Sequence, residues 1–396
     1  MINQLQPLPS EKNRIEVADV LRGAAVLGIT LIHFIERFSL YSYPEETCGF
    51  LQFTDRIIWD SVYFTISGKA YCIFALLFGF SFFIQDNGQR MKGRDFRGRF
   101  AWRLLLLMVF ACVNSMLFPG EILVLYAIIG YVLIAVCRLS TRVVLWIAAI
   151  LLLQPIDIGK IIYAIADPGY VAGPAIDAPY WDIVNTVQKD GSFLEMCKTA
   201  LWTGNVANMG WMITHGRVLQ TAALFMLGMV IGRSNTLTYS EKNIKLWFNV
   251  LIISLVSFFP LYGLNAVIPD FISREAILTP LSLILTSLAN AAFMGMLFSG
   301  IILLYYLTRF GHVLQRLAPY GRMSLTNYLS QSLIGGFLFY NWGLGIYQYI
   351  GITTCFLMGI GMFLVQYYFD GWWMRSHRHG PLEWLWKKAT WVGTSK

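Results

Sequence analysis

The sequence predicts an all-α fold: a polytopic transmembrane helical bundle of about ten spans, forming one domain over residues 1–396, with both termini cytoplasmic. Three observations carry that expectation. Hydrophobic residues make up 57% of the chain and charged ones only 13%, against about 25% charged in soluble proteins. Apolar runs of the roughly 20 residues needed to cross about 30 Å of hydrocarbon recur along the whole length. The net charge of +8 gathers in short segments between those runs. That distribution is the orientation signal of membrane proteins and argues against nucleic acid as a partner.

The first span is expected at residues 17–39. It follows a polar start with Glu11, Lys12 and Arg14. It outruns the apolar core of a signal peptide and lacks a small-residue cleavage site, so no cleavable leader is expected. The second covers residues 57–84. Residues 85–103 then hold Arg90, Lys92, Arg94, Arg97, Arg99 and Arg103, a cluster that marks a basic cytoplasmic loop and puts residues 40–56 outside. Residues 103–117 and 121–137 form a hairpin turned by Phe118-Pro119-Gly120, because Pro-Gly is a strong turn signal.

Arg138 and Arg142 bracket the next cytoplasmic turn, before a span at 143–163 that contains Pro155 and Asp157. Residues 164–210 are acidic early and carry Trp181, Phe193 and Trp202 later. They are expected as an extracytoplasmic loop with interfacial helices. Spans follow at 212–232, 246–267, 281–307, 324–340 and 350–369. Arg233, Lys242, Lys245, Arg309, Arg316 and Arg322 mark their cytoplasmic ends. The tail, 371–396, sets Trp372, Trp373, Trp384, Trp386 and Trp391 among Arg375, Arg378, Lys387 and Lys388, as in a cytoplasmic amphipathic segment at a membrane surface. No internal repeat is evident.

The six cysteines show no metal-ligand spacing, and no metal site is expected. Cys48 and Cys197 fall in segments expected outside, where a disulfide persists. Their pairing stays open, because sequence does not show proximity.

Ionisable groups inside hydrocarbon are costly and therefore mark function. His33 and Glu36 are three apart and share a helix face, so a carboxylate there can orient an imidazole acting as base. The bland alternatives are a histidine hydrogen-bonded to a neighbouring helix, and an interfacial ion pair of Glu36 with Arg37. Ten residues separate Arg22 from His33, about 16 Å along a helix at ~1.5 Å per residue. That suits a phosphate at the cytoplasmic mouth and a reactive carbonyl deeper in; the alternative is a plain positive-inside anchor. Lys69 needs a carboxylate, carbonyl or ligand, with Asp60 weighed as its partner. Arg94, Arg97, Arg99 and Arg103 are phosphate-ligand candidates, or equally anchors for anionic lipid. His215 and Arg217 enter the membrane together. Asn114, Glu121, Gln220, Asn327 and Gln331 are expected as interhelical hydrogen-bonding groups. No zinc signature, nucleophile elbow or dinucleotide fingerprint is present.

Several of these runs resemble one family in order along nearly the whole chain. The stretch from Gly68-Lys69-Ala70-Tyr71 to Leu76-Leu77-Phe78-Gly79-Phe80 resembles the "GKF…LFSLLFG" signature of the YeiB family of bacterial membrane proteins. Asp19-Val20-Leu21-Arg22-Gly23 resembles its "D-x-x-RG". Glu121-Ile122-Leu123 through Tyr126-Ala127 resembles its "DIL-x-YA", with Glu for Asp. The runs Met323–Ser332 and Gly380–Trp386 resemble its C-terminal motifs. The resemblance implies a layout similar to transmembrane acyltransferases, among them the heparan glucosaminide acetyltransferase. Arg22-x10-His33 and Arg94-x-x-Arg97 are similar to the "R-x10-H" and "RxxR" of the acyltransferase type three family. There the His is held to be catalytic and the arginines to meet coenzyme A.

The expectation is therefore a multi-pass protein of the bacterial inner membrane that moves an acyl group from cytosolic acyl-CoA, such as acetyl-CoA, to an extracytoplasmic or membrane acceptor such as an envelope sugar. Acyl-CoA is a co-substrate, and no tightly bound cofactor is expected. His33, Glu36, Lys69 and Arg217 are the catalytic candidates, and Arg22, Arg94, Arg97, Arg99 and Arg103 the coenzyme A ligands. Membrane lipids, the acceptor and a second copy of the chain in a homodimer are the expected partners. A small-molecule transporter and a non-catalytic membrane protein are the alternatives.

Overall fold

A computed structural model of the protein describes residues 15–41, 43–44 and 48–393. Glu11, Lys12 and Arg14 lie outside that set. The described residues form helices and no strands. The chain opens with α1 (Glu16–Ile35), α2 (Gly49–Thr65), α3 (Ala70–Arg90) and α4 (Arg97–Ser115). The turn expected at Pro119-Gly120 leads to α5 (Leu123–Ile129) and α6 (Tyr131–Val136). Then come α7 (Thr141–Leu152), α8 (Pro155–Ala166), α9 (Ala178–Asp190), α10 (Phe193–Thr199) and α11 (Asn205–Thr214). The second half holds α12 (Arg217–Arg233), the long pair α13 (Glu241–Phe271) and α14 (Glu275–Leu307), and the short α15 (Gly311–Gln315) and α16 (Ala318–Arg322). It ends with α17 (Ser324–Phe339), α18 (Ile352–Ser376) and α19 (Pro381–Thr390).

Six of these helices are long and apolar enough to cross a membrane: α1, α2 continuing into α3, α4, α13, α14 and α18. The bent pair α7–α8, with 47° between its halves, makes up to seven. Several spans expected as single helices are interrupted. The fifth breaks at Gln154, whose φ is +53° and whose successor, Pro155, has no N–H to continue the ladder. The span at 121–137 divides at Gly130 into α5 and α6. The sixth breaks at Gly216, φ +66°, between α11 and α12. The segment at 164–210, expected largely as loop, is mostly α9, α10 and α11.

Burial divides the helices into inner and outer. The most apolar stretch of α1 is 72% buried and that of α13 only 11%, so α1 runs through the interior and α13 along the outside. Phe248, Ile253, Val256 and Phe259 of α13 and Leu357, Val365 and Tyr368 of α18 are exposed, an apolar surface a bilayer would cover. Inside, two helix pairs meet backbone to backbone. Gly79 of α3 lies against the Phe225 carbonyl of α12, and Gly228 of α12 against the Leu76 carbonyl of α3. Gly321 of α16 meets the Asp19 carbonyl of α1 in the same way. Small residues at such crossings let membrane helices pack closely. All six thiols are free, Cys48 and Cys197 included.

Candidate functional site

A cavity of about 490 Å³ lies among the last turns of α1, the α2–α3 junction, the turn before α5, α9, the α11–α12 junction and Tyr328 of α17. Its wall includes Phe118 and Gly120, which lie at the end of α4 away from the basic loop. His33, Glu36 and Arg217 line this one space, with Tyr63, Tyr71, Trp181, Asn185 and Trp211.

α1 delivers His33 and Glu36 one helical turn apart, as their spacing requires. The His33 ring sits among Phe118, Phe38 and Tyr328, with centroids at 4.8, 5.2 and 6.0 Å. Its Nδ1 is buried with no hydrogen-bond partner. Glu36 does not orient the imidazole. Its carboxylate accepts from the Tyr63 hydroxyl at 2.5 Å, and Tyr63 stacks on Trp59 at 4.2 Å. Nor does Glu36 pair with Arg37. The chain turns left-handed at Arg37 and Phe38, φ +49° and +54°, which carries the fully buried Arg37 to the other side. There it donates to the Cys355 sulfur at 3.4 Å and to the Ile350 carbonyl, and lies 4.0 Å from the centre of the Tyr43 ring.

Arg217 opens α12. Its Nη1 donates to the Tyr71 hydroxyl at 2.9 Å and to Gln220 Oε1 at 3.2 Å, while Tyr71 itself donates to Gln220. The guanidinium lies 4.7 Å from the Tyr71 ring centre and 5.7 Å from that of Trp211. His215 leaves the site: it is exposed, stacked on Trp211 at 4.5 Å.

Lys69 is 8% exposed and is not among the cavity-lining residues. Its ammonium faces the rings of Phe293 and Phe64 at 5.4 and 5.9 Å and reaches the Tyr63 carbonyl at 3.5 Å. Asp60, weighed as its partner, is exposed beside Arg56 at 4.0 Å.

The expected coenzyme A ligands lie away from the cavity. Arg22 pairs with Asp19 at 2.8 Å and donates to Ser81 at 3.0 Å. Between it and His33, α1 buries Ala25, Val26 and Ile29. Arg97 grips Asp95 at 2.7 Å, and these hydrogen bonds hold the Asp95 carboxyl well below the usual carboxylate range. Arg99 donates to the carbonyls of Thr390 and Val392 at the end of α19, at 3.1 and 3.0 Å. Arg103 lies 3.6 Å from the Trp386 ring centre. Arg94 is exposed. Among the described residues no group of three or more His, Cys, Asp or Glu is placed to hold a metal.

Sequence reasoning passed over Asn185, whose Oδ1 is buried in the cavity wall without a partner, and Asn290 on α14. The one amide in the 33-residue α14, a mainly apolar helix, was the available signal for Asn290. Asn185 sits on the polar α9 and gave none.

These features define the class: among the described residues an all-helical protein, with several helices able to span a membrane and, among them, a largely apolar cavity that holds a few polar and charged groups. Comparison with known proteins adds what the chain is similar to. Residues 231–393 match the family described as "Protein of unknown function (DUF418)". Over 99% of the chain the sequence is 28% identical to the "Uncharacterized protein YxaH" of Bacillus subtilis (strain 168), of which 97% is covered. Over 94% of the chain it is 27% identical to the "Uncharacterized protein YeiB" of Escherichia coli (strain K12), of which 95% is covered. The chain is similar to YxaH and YeiB over nearly its whole length, in line with the resemblance the sequence motifs carry. No solved structure matches it.

Proposed function

We propose that the protein is a membrane-bound acyltransferase that uses the cavity as its acceptor site and His33 as its base. The observation that carries the proposal is that His33 and Arg217 face one enclosed space. In the step proposed, His33 takes the proton of an acceptor hydroxyl as its oxygen attacks the thioester carbonyl of acyl-CoA. The C–O bond forms, the C–S bond breaks, and the proton passes to the departing thiolate. Arg217 supplies positive charge for the transient oxyanion. Glu36, fixed by Tyr63, positions the acceptor rather than the imidazole. Lys69 contributes only long-range charge from behind the wall.

The same proposal includes about ten spans in the bacterial inner membrane, the seven long ones joined by α5–α6, α12 and α17. Both termini and the basic loop face the cytoplasm. Support comes from the cations that meet at one end: Arg138 pairs with Asp86 and Asp95, Arg233 donates to Leu139, and Arg322 to Arg378. Exposed Arg94 receives the coenzyme A phosphates, while Arg97, Arg99 and Arg103 shape the loop. The thioester then reaches His33 only when the packed wall around Ala25 and Ile29 parts.

Purified protein with acetyl-CoA and a panel of envelope sugars tests this. Wild type should consume acyl-CoA, and His33→Ala should lower turnover by about 10²–10⁴-fold with coenzyme A affinity retained. Absence of coenzyme A affinity and turnover in wild type overturns it. A transporter is the second reading, favoured by the interrupted helices that meet near the cavity, a feature of membrane carriers. It predicts substrate flux into proteoliposomes without acyl-CoA.

A further inference from the structure

Three helix interruptions converge beside Arg217. The α2–α3 junction turns at Gly68, φ +74°, and the α11–α12 junction at Gly216, φ +66°. The α7–α8 break brings Gln154, whose Nε2 donates to the Gly216 carbonyl at 2.9 Å and to Ser287 of α14 at 3.2 Å. The amide that pins Gly216 therefore belongs to the third broken helix. The start of α12, with its unpaired N–H groups and positive dipole end, is held at the cavity wall.

The charge there is uncompensated. Arg217 makes its bonds to Tyr71 and Gln220 through Nη1 alone, and among the described residues no carboxylate pairs with it. Glu36, the other charged group in the wall, is held by Tyr63 and forms no ion pair with Arg217. Lys69, buried behind the same junction, has no carboxylate either among the described residues. A cation inside a membrane bundle needs a carboxylate, a carbonyl or a ligand; Lys69 has the Tyr63 carbonyl, whereas Arg217 Nη2 has no acceptor among the described residues. Asn290 of α14 is 8% exposed and has no hydrogen-bond partner among the described residues. Its Nδ2 and Arg217 Nη2 both converge on the bare Cα of Gly68: a Cβ there would stand 2.6 Å from the first and 3.4 Å from the second. Two donors without acceptors among the described residues thus flank Gly68, Arg217 in the cavity lining and Asn290 behind it.

From this we infer that the cavity binds an anionic group, a carboxylate or phosphate, at Arg217 Nη2 and the start of α12, with Asn290 Nδ2 packed behind Gly68 as a second donor. The rest of the ligand extends toward His33, Glu36 and Asn185. The inference is independent of acyl transfer, because it concerns what rests in the cavity and not what reacts there. The anion comes either from a lipid-like amphiphile or from a small water-soluble molecule.

Phenylglyoxal, which modifies arginine, provides the test on the full chain in dodecyl maltoside, with peptide mass spectrometry reading the rate at Arg217. Dodecyl phosphate and inorganic phosphate are the anionic probes, and dodecyltrimethylammonium the cationic control. An anion accepting two charge-assisted bonds should slow modification of Arg217 by about tenfold and raise the melting temperature. Protection by dodecyl phosphate alone assigns the amphiphile, and protection by both phosphates the small anion. Asn290→Asp keeps the side-chain shape and places a carboxylate at the site, so it should abolish the thermal shift. If neither phosphate protects Arg217, if the cationic control protects equally, or if folded Asn290→Asp responds like wild type, the inference fails, whatever the turnover assay shows.

Discussion

Glu36 shows how far a single residue can be read from sequence. Its place near His33 was legible, because a carboxylate and an imidazole three apart must share a helix face. Its partner was not. Helical spacing fixes a Cβ direction, whereas the Tyr63 hydroxyl arrives from another helix through a non-local contact. Because Tyr63 holds that carboxylate at 2.5 Å, Glu36→Gln and Tyr63→Phe should depress turnover by similar factors. The double variant should fall short of their product, since contacting residues are coupled by about 0.5–3 kcal/mol. Initial rates of the four proteins measure that cycle. Fully additive losses would return Glu36 to an independent role. The arginines teach the same lesson from the other side. Their clustering led residues 85–103 to be expected as a loop, but only 91–96 lie between α3 and α4; Arg99 and Arg103 belong to α4 and hold α19 through the Thr390 and Val392 carbonyls and the Trp386 ring.

At the scale of elements, apolar runs predicted where helices lie and missed where they break. Gln154, Gly216 and Gly68 each adopt positive φ within runs that hydropathy reads as continuous, and a composition window does not register one backbone angle. The glycine contacts are more readable in retrospect. Gly79 and Gly228 let α3 and α12 touch through backbone, so Gly228→Val should force the pair apart. A loss of about 1–3 kcal/mol should show as a lower melting temperature in detergent.

The α19 element makes a pH prediction. Glu383 accepts from Leu325 N at 2.7 Å, Thr326 N at 3.1 Å and Thr326 Oγ1 at 2.6 Å at the start of α17. Burial outweighs these bonds and raises its carboxyl pKa. A carboxyl raised on folding holds more protons in the native state, so its contribution is full below the unfolded value of about 4.3. That contribution fades as pH rises through the raised folded value. Glu383→Gln should flatten this part of the stability curve. Melting temperatures across that window check it, and identical slopes in the two proteins refute it.

For the whole molecule, an all-helical chain with several helices apolar enough to span a membrane was legible from a hydrophobicity of 57%. Which helix lies inside was not, since α1 and α13 are both apolar while their burial differs from 72% to 11%. The cavity was also invisible, because it is assembled from residues as distant along the chain as Ile29 and Tyr328.

The length of the outer helix has its own consequence. The 31 residues of α13 make a rod of about 46 Å, beside a hydrocarbon layer of about 30 Å. Such a rod must lean steeply or stand proud of the layer, and mismatch costs fractions of a kcal/mol per Å. Lipid thickness therefore bears on α13 and its neighbour α14 directly. Protein reconstituted in longer-chain phosphatidylcholine should unfold at a higher temperature than in short-chain lipid, with the α13–α14 hairpin as the part that senses the difference.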